Sequence, residues 1–276
     1  MVKLKRFYVA GDPIEHSQSP IIHSEFAAQF ETPIEYLKMK VSKNGLKRFL
    51  TESVAEGISG INFTLPLKEE VYYLVDKHSK RAAFARAVNT IWVSGKDVCA
   101  DNTDGIGLVR DLEKNNRVSL GNKKVLIAGA GGAARGILGP ILDQLPSLVT
   151  ITNRTRERSA SLSALVPKKN VQILGWGEEP PEPFDLILNC TSLSLSGKEP
   201  NIKESSIHKD TVCYDLSYGS DLTSFEKWAF RVGATSVFNG LGMLVEQAAE
   251  AFYLWHGVFP DTGPVIDKLK RKNIPD

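Results

Sequence analysis

Short apolar runs alternate along the chain with longer segments whose apolar residues recur at helical spacing. In the N-terminal part the short runs cover residues 7–10, 34–41 and 58–63, and the helical spacing covers residues 20–30 and 44–56. Runs of four to eight apolar residues are typical of buried strands, and strands that alternate with helices favour a parallel sheet. The pattern therefore predicts an α/β fold with a largely parallel sheet. Ser19 is predicted to cap the helix that begins at Pro20.

A second series of strands follows the polar segment at residues 121–124. Before this segment, the runs at 87–93 and 97–100 flank Ser94-Gly95-Lys96, which predicts a hairpin. After it, the spacing predicts a helix over 133–142. The strands predicted in this part lie at 125–128, 148–152, 171–174, 186–189 and 212–215.

The restart of the pattern divides the chain into domains. We place the change between residues 102 and 121, within a helix that starts at Thr103. The apolar helix over 242–255 has no evident place in a finished second domain, so the chain is expected to return to the first domain near Gly240. The predicted division is residues 1–104, 105–239 and 240–276, with the last range packing on the first.

Composition excludes several classes of partner. The chain has 276 residues, of which 42% are apolar and 24% charged, and its formal net charge is +2. These are values of an ordinary globular protein, and they give no case for nucleic acid or membrane binding. Three cysteines without a C-x-x-C pair indicate neither disulfides nor zinc, so we expect no metal site and a reducing, cytoplasmic location. No segment has the composition of a signal peptide or of a membrane span.

A glycine-rich loop lies between the strand at 125–128 and the helix at 133–142. Its sequence, Gly129-Ala130-Gly131-Gly132-Ala133-Ala134, has the pattern G-x-G-x-x-A. The first glycine permits a tight turn, the second lets the backbone approach a pyrophosphate, and the small sixth residue allows close packing of helix and strand. The flanking strand and helix make a dinucleotide site the better interpretation than a tight turn without a ligand.

The residues after the next strand distinguish the two nicotinamide cofactors. NAD sites place Asp or Glu there to bond the ribose 2′-OH, whereas this chain has Asn153, Arg154, Thr155 and Arg158. Arginines suit a 2′-phosphate through charge-assisted hydrogen bonds. We therefore predict NADP, against the alternative of a solvated Arg-rich helix start.

Polar residues cluster at predicted strand ends in the first domain. Asn62, Thr64 and Lys68 follow the apolar run at 57–61, Asn89 follows the run at 87–88, and Asp104 follows the hairpin. A lysine and an aspartate at two strand ends make a workable acid–base pair, because an ammonium stabilises and then neutralises a developing alkoxide. Taken alone, the lysine is more typical of an exposed helix start than of a catalyst, and the aspartate fits a helix-dipole acid.

Two hydroxyls flank the start of the first predicted helix, at Ser17 and Ser19. A helix N-terminus with serine donors binds a carboxylate well. Simple capping by Ser19 is the competing interpretation, and a hydroxyl is able to serve both roles.

These segments resemble the shikimate dehydrogenase family in a series of motifs that span residues 11 to 247 in order. The motifs are Gly11-Asp-Pro-Ile-Glu-His16-Ser17-Gln-Ser19-Pro20-Ile-Ile-His23, Asn62-Phe-Thr64-Leu-Pro66-Leu-Lys68, Ala87-Val-Asn89-Thr90, Asn102-Thr-Asp104-Gly105, Gly129-Ala-Gly-Gly-Ala-Ala-Arg135, Asn153-Arg-Thr155, Asn189-Cys-Thr191-Ser192 and Gly240-Leu-Gly242-Met243-Leu-Val-Glu-Gln247-Ala-Ala. Their combination is more specific than any one of them.

The resemblance implies a role for each predicted site residue. Ser17 and Ser19 would hold the substrate carboxylate, and Lys68 with Asp104 would form the catalytic pair. The residues that would bond the ring hydroxyls are Asn62, Thr64, Asn89, Asp104, Tyr218 and Gln247. The NADP residues would be Gly129, Ala130, Gly131, Gly132, Ala133, Asn153, Arg154, Thr155, Arg158, Leu216 and Gly240.

The resemblance also implies a fold and a reaction. A β/α substrate domain, closed by the C-terminal helices, would accompany a Rossmann-type NADP domain. The expected reaction is the reversible, NADP-dependent reduction of 3-dehydroshikimate to shikimate, a step of chorismate and aromatic amino-acid biosynthesis, by a monomer or a homodimer. The alternatives are a quinate/shikimate or amino-shikimate dehydrogenase, a non-catalytic NADP/shikimate-binding protein, and a folate-linked methylene dehydrogenase of similar plan.

Several residues depart from the family's usual pattern. Arg86 stands where the family usually has Gly, and Gly219 stands where Pro often follows the tyrosine. Phe63, Leu67 and Leu216 replace the common Val, Phe and Met. None of these changes removes a polar group that the chemistry needs, but Arg86 puts the local backbone in question.

Overall fold

The computed structural model describes residues 4–166 and 170–272. The chain forms two compact units, one made of Met1–Gly107 with Leu244–Lys268 and the other of Leu108–Met243 with Leu269–Asp276. We refer to them as the first and the second unit. Both combine strands with helices, so the predicted α/β class is confirmed.

The strands divide evenly between two sheets, one in each unit. Those of the first unit are β1 (Lys5–Gly11), β2 (Ile34–Lys40), β3 (Gly60–Phe63), β4 (Lys77–His78), β5 (Thr90–Ser94) and β6 (Asp97–Asp101). Those of the second unit are β7 (Lys124–Ala128), β8 (Leu148–Thr152), β9 (Val171–Leu174), β10 (Leu186–Asn189), β11 (Val212–Asp215) and β12 (Ser236–Asn239).

The helices alternate with the strands along most of the chain. They are α1 (Ser19–Gln29), α2 (Leu46–Ala55), α3 (Lys68–Tyr72), α4 (Lys80–Ala85), α5 (Asp104–Arg110), α6 (Gly132–Leu142), α7 (Arg156–Ser163), α8 (Ser224–Arg231), α9 (Leu241–His256) and α10 (Gly263–Lys272). Short 3-10 turns occupy Lys43–Gly45, Ser194–Ser196 and Glu204–Ser206, and a π turn at Asp111–Asn115 continues α5.

The sheet of the first unit has the order β2-β1-β3-β5-β6-β4. β1 pairs in parallel with β2 and β3, whereas β5 pairs antiparallel with both β3 and β6. The hairpin predicted on either side of Ser94-Gly95-Lys96 is therefore confirmed. This sheet is mixed, because a hairpin necessarily adds antiparallel pairs.

The sheet of the second unit has the order β12-β11-β10-β7-β8-β9, and every pair is parallel. Its register aligns Ala128 with Thr152 and Asn189, and it aligns Asp215 with Asn189 and Asn239. The carboxyl ends of these strands thus lie along one edge, where open α/β sheets bind ligands.

Apolar side chains bury both faces of the first sheet. Tyr8 and Ala10 of β1 pack into one cluster with Ile61 and Phe63, and Phe7 and Val9 pack into another with Tyr36. This alternation is the period of two that a strand imposes on its side chains. In the second unit, strand residues such as Leu126 and Ile187 pack with Phe225 and Trp228 of α8.

The start of α1 differs from its prediction by one residue. Gln18, not Ser19, is the N-cap, and its side chain makes no capping bond. Ser19 is the first helical residue, with Pro20 next to it in the first turn. The Ser19 hydroxyl is therefore not committed to capping, because the cap position lies one residue earlier.

Candidate active site

The predicted acid–base residues form a buried ion pair. Nζ of Lys68 lies 2.6 Å from Oδ2 of Asp104, and their side chains are only 14% and 5% exposed. Each residue is the first of a short helix, α3 and α5 respectively, so the pair forms where two helices start. The backbone N–H of Asp104 donates to the side-chain Oδ1 of Asn102 at 3.1 Å, and this bond fixes the start of α5. The lysine is thus held by a partner, and is not the exposed helix-start residue of the competing interpretation.

Asn89 connects this ion pair to α9. Its Nδ2 donates to Oδ1 of Asp104 at 2.8 Å, to Oγ1 of Thr103 at 2.9 Å and to Oε1 of Gln247 at 3.2 Å. Its Oδ1 accepts from the backbone of Thr103 at 2.8 Å. Four predicted site residues, Lys68, Asn89, Asp104 and Gln247, therefore belong to one hydrogen-bonded cluster.

Asn62 lies in the middle of the first sheet, on β3. Its Oδ1 accepts from the Tyr36 phenol at 2.6 Å, and its Nδ2 donates to Oγ1 of Thr90 at 3.0 Å and to the Asn89 carbonyl at 3.3 Å. Because both Asn62 and Asn89 are buried, these bonds replace the ones that water would otherwise supply.

The two serines and Thr64 lie beside β1 and β3. Oγ of Ser17 donates to Oγ of Ser19 at 3.2 Å, so the two hydroxyls adjoin at the start of α1. Thr64 follows the last residue of β3 and donates its backbone N–H to Ala10 at 2.9 Å. Because the single proton of Ser17 is used on Ser19 in this arrangement, the Ser17 hydroxyl would have to rotate in order to donate to a ligand.

A buried ionic cluster lies directly before the Asn102–Asp104 segment. Asp101, at the end of β6, accepts from Arg81 of α4 at 2.6 Å, and the same guanidinium contacts Glu250 of α9 at 2.8 Å. Oδ1 of Asp101 also accepts from the backbone of Asn102 at 2.6 Å. The cluster therefore ties the chain just before Asp104 to two helices, α4 and α9.

The glycine-rich loop of the second unit fits a pyrophosphate. Gly129 has a φ of +112°, and a Cβ placed on it would lie 3.0 Å from the carbonyl of Cys190. Gly131 is the N-cap of α6, no side chain caps this helix, and nothing lies within 4 Å of the position a Cβ would take. Free backbone N–H groups and open space beside a helix N-terminus are what a phosphate needs.

The residues predicted to bind the 2′-phosphate follow β8. Nδ2 of Asn153 donates to the Thr155 carbonyl at 2.9 Å, which shapes the turn between β8 and α7. Arg154, Thr155 and Arg158 are exposed. Two guanidinium groups at the end of this strand fit a dianionic phosphate by charge and by donor geometry.

Leu216, Tyr218 and Gly240 lie after β11 and β12. The N–H of Gly240 donates to the Ser217 carbonyl at 3.0 Å, and a Cβ on Gly240 would collide with the Leu216 carbonyl oxygen. Burial raises the pKa of the Tyr218 phenol. Tyr218 belongs to the second unit, whereas every other predicted substrate residue belongs to the first.

Asp215 organises this loop and escaped the sequence analysis. It is fully buried and accepts from Ser194 at 2.6 Å, Thr223 at 2.7 Å and the backbone of Ser217 at 3.0 Å. Burial raises the pKa of its carboxyl, against the effect of these bonds. An acid at the end of an apolar strand could have indicated such a role, but its partner Ser194 lies 21 positions away in the sequence.

Tyr36, Thr90 and Thr103 also escaped prediction as parts of the site. Thr90 and Thr103 stand within two of the sequence motifs described above, so their place in the site could have been predicted from those motifs. Tyr36 lies on β2 in a segment without any motif, and only the pairing of β2 with β1 brings it to Asn62.

Within residues 4–166 and 170–272, no group of three or more His, Cys, Asp or Glu side chains is placed to hold a metal ion. No helix in the described ranges is long and apolar enough to cross a membrane.

Two features define the class of protein. One is a glycine-rich loop between a parallel strand and a helix, and the other is a buried lysine–aspartate pair among amides and hydroxyls. These are the parts of a dinucleotide-dependent α/β oxidoreductase whose substrate is small and polar.

Comparisons with known proteins identify the family within this class. Residues 9–91 match the family described as "Shikimate dehydrogenase substrate binding domain", and residues 240–270 match "Shikimate 5'-dehydrogenase C-terminal domain". The chain is 44% identical over 268 residues to a shikimate dehydrogenase (NADP(+)) of Marinobacter nauticus, covering 96% of this chain and 98% of the relative. The chain belongs to the shikimate dehydrogenase family.

Solved structures of similar proteins agree with this assignment. An Ael1 enzyme from Pseudomonas putida is 38% identical with a TM-score of 0.90, and the match covers 98% of this chain and 99% of that one. Shikimate 5-dehydrogenase from Thermus thermophilus, solved with NADP(H) and shikimate, is 27% identical with a TM-score of 0.85, covering 98% and 100% of the two chains.

Proposed function

We propose that this chain catalyses the reversible, NADP-dependent reduction of 3-dehydroshikimate to shikimate. The single observation that carries the proposal is the buried Lys68–Asp104 pair, 2.6 Å long, bonded through Asn89 to Gln247. The resemblance of the chain to shikimate dehydrogenases over nearly its whole length supports the same reaction.

The chemistry needs one proton donor beside a carbonyl group. NADPH, when bound, supplies a hydride to the ketone carbon of the substrate. Lys68 supplies the proton to the ketone oxygen, and in the reverse direction it accepts that proton. Asp104 keeps the ammonium in place and accepts a hydrogen bond from a neighbouring substrate hydroxyl. Such proton transfer contributes about 10²- to 10⁴-fold to rate.

The remaining polar residues bind and orient the substrate. Ser17 and Ser19 donate to its carboxylate. Ser19 is free for this role because it is not the N-cap residue of α1. The ring hydroxyls bond to Asn62, Thr64, Asn89, Tyr218 and Gln247. Because these are uncharged groups in a mostly buried setting, they favour a polyol acid over a large heteroaromatic substrate.

NADP binds to the second unit in this proposal. The backbone of Gly129, Ala130, Gly131, Gly132 and Ala133 holds the pyrophosphate, and Asn153, Arg154, Thr155 and Arg158 hold the 2′-phosphate. Leu216 and Gly240 line the part of the site nearest the nicotinamide. The exposure of the two arginines and the open space at Gly131 support this placement.

The domain roles and the setting complete the proposal. Residues 1–104 form the substrate-binding and catalytic domain and 105–239 the NADP domain. The last range, 240–276, returns to the substrate domain through Leu244–Lys268, which belong to the first unit. We expect a cytoplasmic enzyme that acts as a monomer or a homodimer in the biosynthesis of chorismate.

A substrate and cofactor panel tests the proposal directly. The purified protein is assayed with shikimate or quinate, each with NADP⁺ or NAD⁺, and shikimate with NADP⁺ is expected to give the highest kcat/KM. Lys68→Ala and Asp104→Asn are each expected to lose at least about 100-fold in kcat. Lys47→Ala, which removes an exposed lysine of α2, serves as the control. Near-normal rates in both site variants, with unchanged cofactor affinity, would contradict the assignment.

A further inference from the structure

We propose that Tyr36 and Thr90 are positioning residues that orient the Asn62 amide, so that Asn62 offers the substrate only a hydrogen-bond acceptor. This inference rests on the proposed function, because it concerns how the same site selects its polyol. It adds a specificity rule: the ring substituent that faces Asn62 must be a hydroxyl that donates.

The Tyr36 phenol fixes one end of the Asn62 amide. Tyr36 lies on β2, is 7% exposed, and its hydroxyl is 2.6 Å from Oδ1 of Asn62. The ring stacks on the buried His23 ring at a centroid distance of 4.5 Å and an angle of 10°, which leaves it little freedom. Burial raises the pKa of Tyr36 well above its ordinary value, although the Ser19 hydroxyl acts in the opposite direction. The phenol therefore keeps its proton and donates it.

Thr90 fixes the other end of the same amide. Its Oγ1 is fully buried, donates to Oδ1 of Asn89 at 2.9 Å and lies 3.0 Å from Nδ2 of Asn62. A hydroxyl has one proton, and this one is used on Asn89, so Oγ1 is an acceptor toward Asn62. The Asn89 carbonyl, 3.3 Å from Nδ2 of Asn62, is an acceptor as well.

These three contacts exclude the flipped amide. With oxygen and nitrogen exchanged, the Asn62 oxygen would face the acceptor on Thr90 and the Asn89 carbonyl, two unfavourable pairs in a buried place. In the observed orientation both protons of Nδ2 are used, and Oδ1 keeps one lone pair beyond the Tyr36 bond, with the His23 ring also beside it. Asn62 therefore has an acceptor, and no donor, left for a ligand.

The same bonds continue to the proton-transfer pair. From Tyr36 to Asn62, Thr90 and Asn89 each group is bonded to the next, and Asn89 donates to Asp104, the partner of Lys68. Because every member is buried and satisfied, loss of one hydroxyl leaves a neighbour unpaired and lets the amide rotate. The expected consequence is weaker, misdirected binding of the ring hydroxyl, with cofactor binding unchanged.

The experiment compares Tyr36→Phe with the matched control Tyr8→Phe. Tyr8 is equally buried, on the neighbouring strand β1, but packs into the cluster on the other face of the sheet. Tyr36→Phe is expected to lower kcat/KM for shikimate about tenfold, as the loss of one buried hydrogen bond implies. Tyr8→Phe is expected to change it less than about twofold, and the Kd for NADPH is expected to stay constant in both.

Deoxy analogues of shikimate distinguish a lost orientation of the Asn62 amide from a general loss of activity. With 4-deoxyshikimate and 5-deoxyshikimate, the analogue that lacks the hydroxyl bound by Asn62 has already lost the bond. For that analogue, Tyr36→Phe is expected to lower kcat/KM less than about twofold. For the other analogue, it is expected to lower kcat/KM about tenfold, as it does for shikimate. Equal losses for shikimate and both analogues, or a loss no larger than that of Tyr8→Phe, would overturn the inference.

Thr90 provides a second pair of variants that does not depend on the folding of Tyr36→Phe. Thr90→Val keeps the shape and removes the hydroxyl, and it is expected to give the same analogue-dependent loss of about tenfold. Thr90→Ser keeps the hydroxyl and is expected to stay within about threefold of the wild type. Equal losses in the two variants would contradict the role of the hydroxyl. A wild-type protein that turns over neither shikimate nor quinate would contradict the proposed function, whereas wild-type turnover with these negative results contradicts only the inference.

Discussion

Lys68 and Asp104 form an ion pair of 2.6 Å although 36 positions separate them in the chain. The second oxygen of the carboxylate is also occupied, by the amide of Asn89 at 2.8 Å. An ammonium held in this way has a fixed direction, which a proton donor needs if it is to reach one substrate oxygen. The two residues should therefore act as one catalytic unit.

A double-mutant cycle on this pair checks that unit. Lys68→Ala and Asp104→Asn are each expected to lower kcat at least about 100-fold, and the double variant should be little worse than the poorer single one, because groups that act together are not additive. Steady-state kinetics with shikimate and NADP⁺ measure the three effects. Additive losses would instead mean that the two residues act independently.

Cofactor selectivity is expected to depend on the exposed arginines after β8. Arg154→Ala combined with Arg158→Ala should raise KM for NADP⁺ by about tenfold or more and leave KM for NAD⁺ within about twofold, since only NADP carries the 2′-phosphate. Measuring both constants in each variant checks this. Arg48→Ala is the control, because Arg48 is exposed on α2 and contacts Glu52 at 2.7 Å. If NADP⁺ and NAD⁺ weaken equally, the arginines do not bind the phosphate.

Two glycines of the same loop should respond differently to alanine. Gly129→Ala is expected to lower the free energy of unfolding by about 2 kcal/mol, because φ is +112° and the new Cβ would lie 3.0 Å from the Cys190 carbonyl. Gly131→Ala meets open space, so it should change stability by less than about 0.5 kcal/mol and yet raise the Kd for NADPH about tenfold. Urea unfolding and fluorescence titration measure the two quantities. A Gly131→Ala variant with wild-type NADPH affinity would place the pyrophosphate elsewhere.

The alternation of short apolar runs and helical spacing was enough to predict most of the fold. It identified β1, β7 and β11 and the hairpin of β5 and β6. Each of these is marked by an apolar run, or by a turn sequence, within its own segment. It missed β4, whose two residues are too few to show a period, and β12, whose side chains are only half-buried. It also missed α8, although Thr223 and Glu226 form a capping box that the sequence displays.

The site residues that lie in sequence motifs could be predicted, and the contacts that depend on strand pairing or on separate loops could not. Lys68 and Asp104 stand in recognisable segments, and the structure brings them together. The bond from Tyr36 to Asn62 depends on the parallel pairing of β1 with β2 and β3, which spacing alone does not give. The same holds for Asp215, whose partners Ser194 and Thr223 come from separate loops.

Arg86 shows why the family usually has glycine at this position. It is the C-cap of α4 and adopts a left-handed conformation, with φ +48° and ψ +40°. An L-residue pays about 1 kcal/mol there, so Arg86→Gly is expected to raise the free energy of unfolding by about 0.5–1 kcal/mol. Ala83→Gly, at an exposed position inside the same helix, should lower it by about 1 kcal/mol. Equal destabilisation by both glycines would show that the left-handed conformation carries no strain.

His23 should make the protein less stable in mild acid. Its ring is fully buried against Tyr36, and burial, with a smaller effect of His256, lowers its pKa to about 3 from an ordinary value of 6.5. Between these values the unfolded chain binds a proton that the folded protein does not bind. The free energy of unfolding therefore falls as the pH drops from about 6.5 toward 3, by up to about 1.4 kcal/mol per pH unit from this group.

Urea unfolding at pH 7, 5.5 and 4.5 measures this slope. His23→Phe keeps an aromatic ring against Tyr36 but has no proton to bind, so its stability should depend less steeply on pH than that of the wild type. His16→Phe, at an exposed position, is the control and should keep the wild-type slope. If His23→Phe has the wild-type slope as well, acid sensitivity arises from other groups, and the His23 ring is not held neutral by burial.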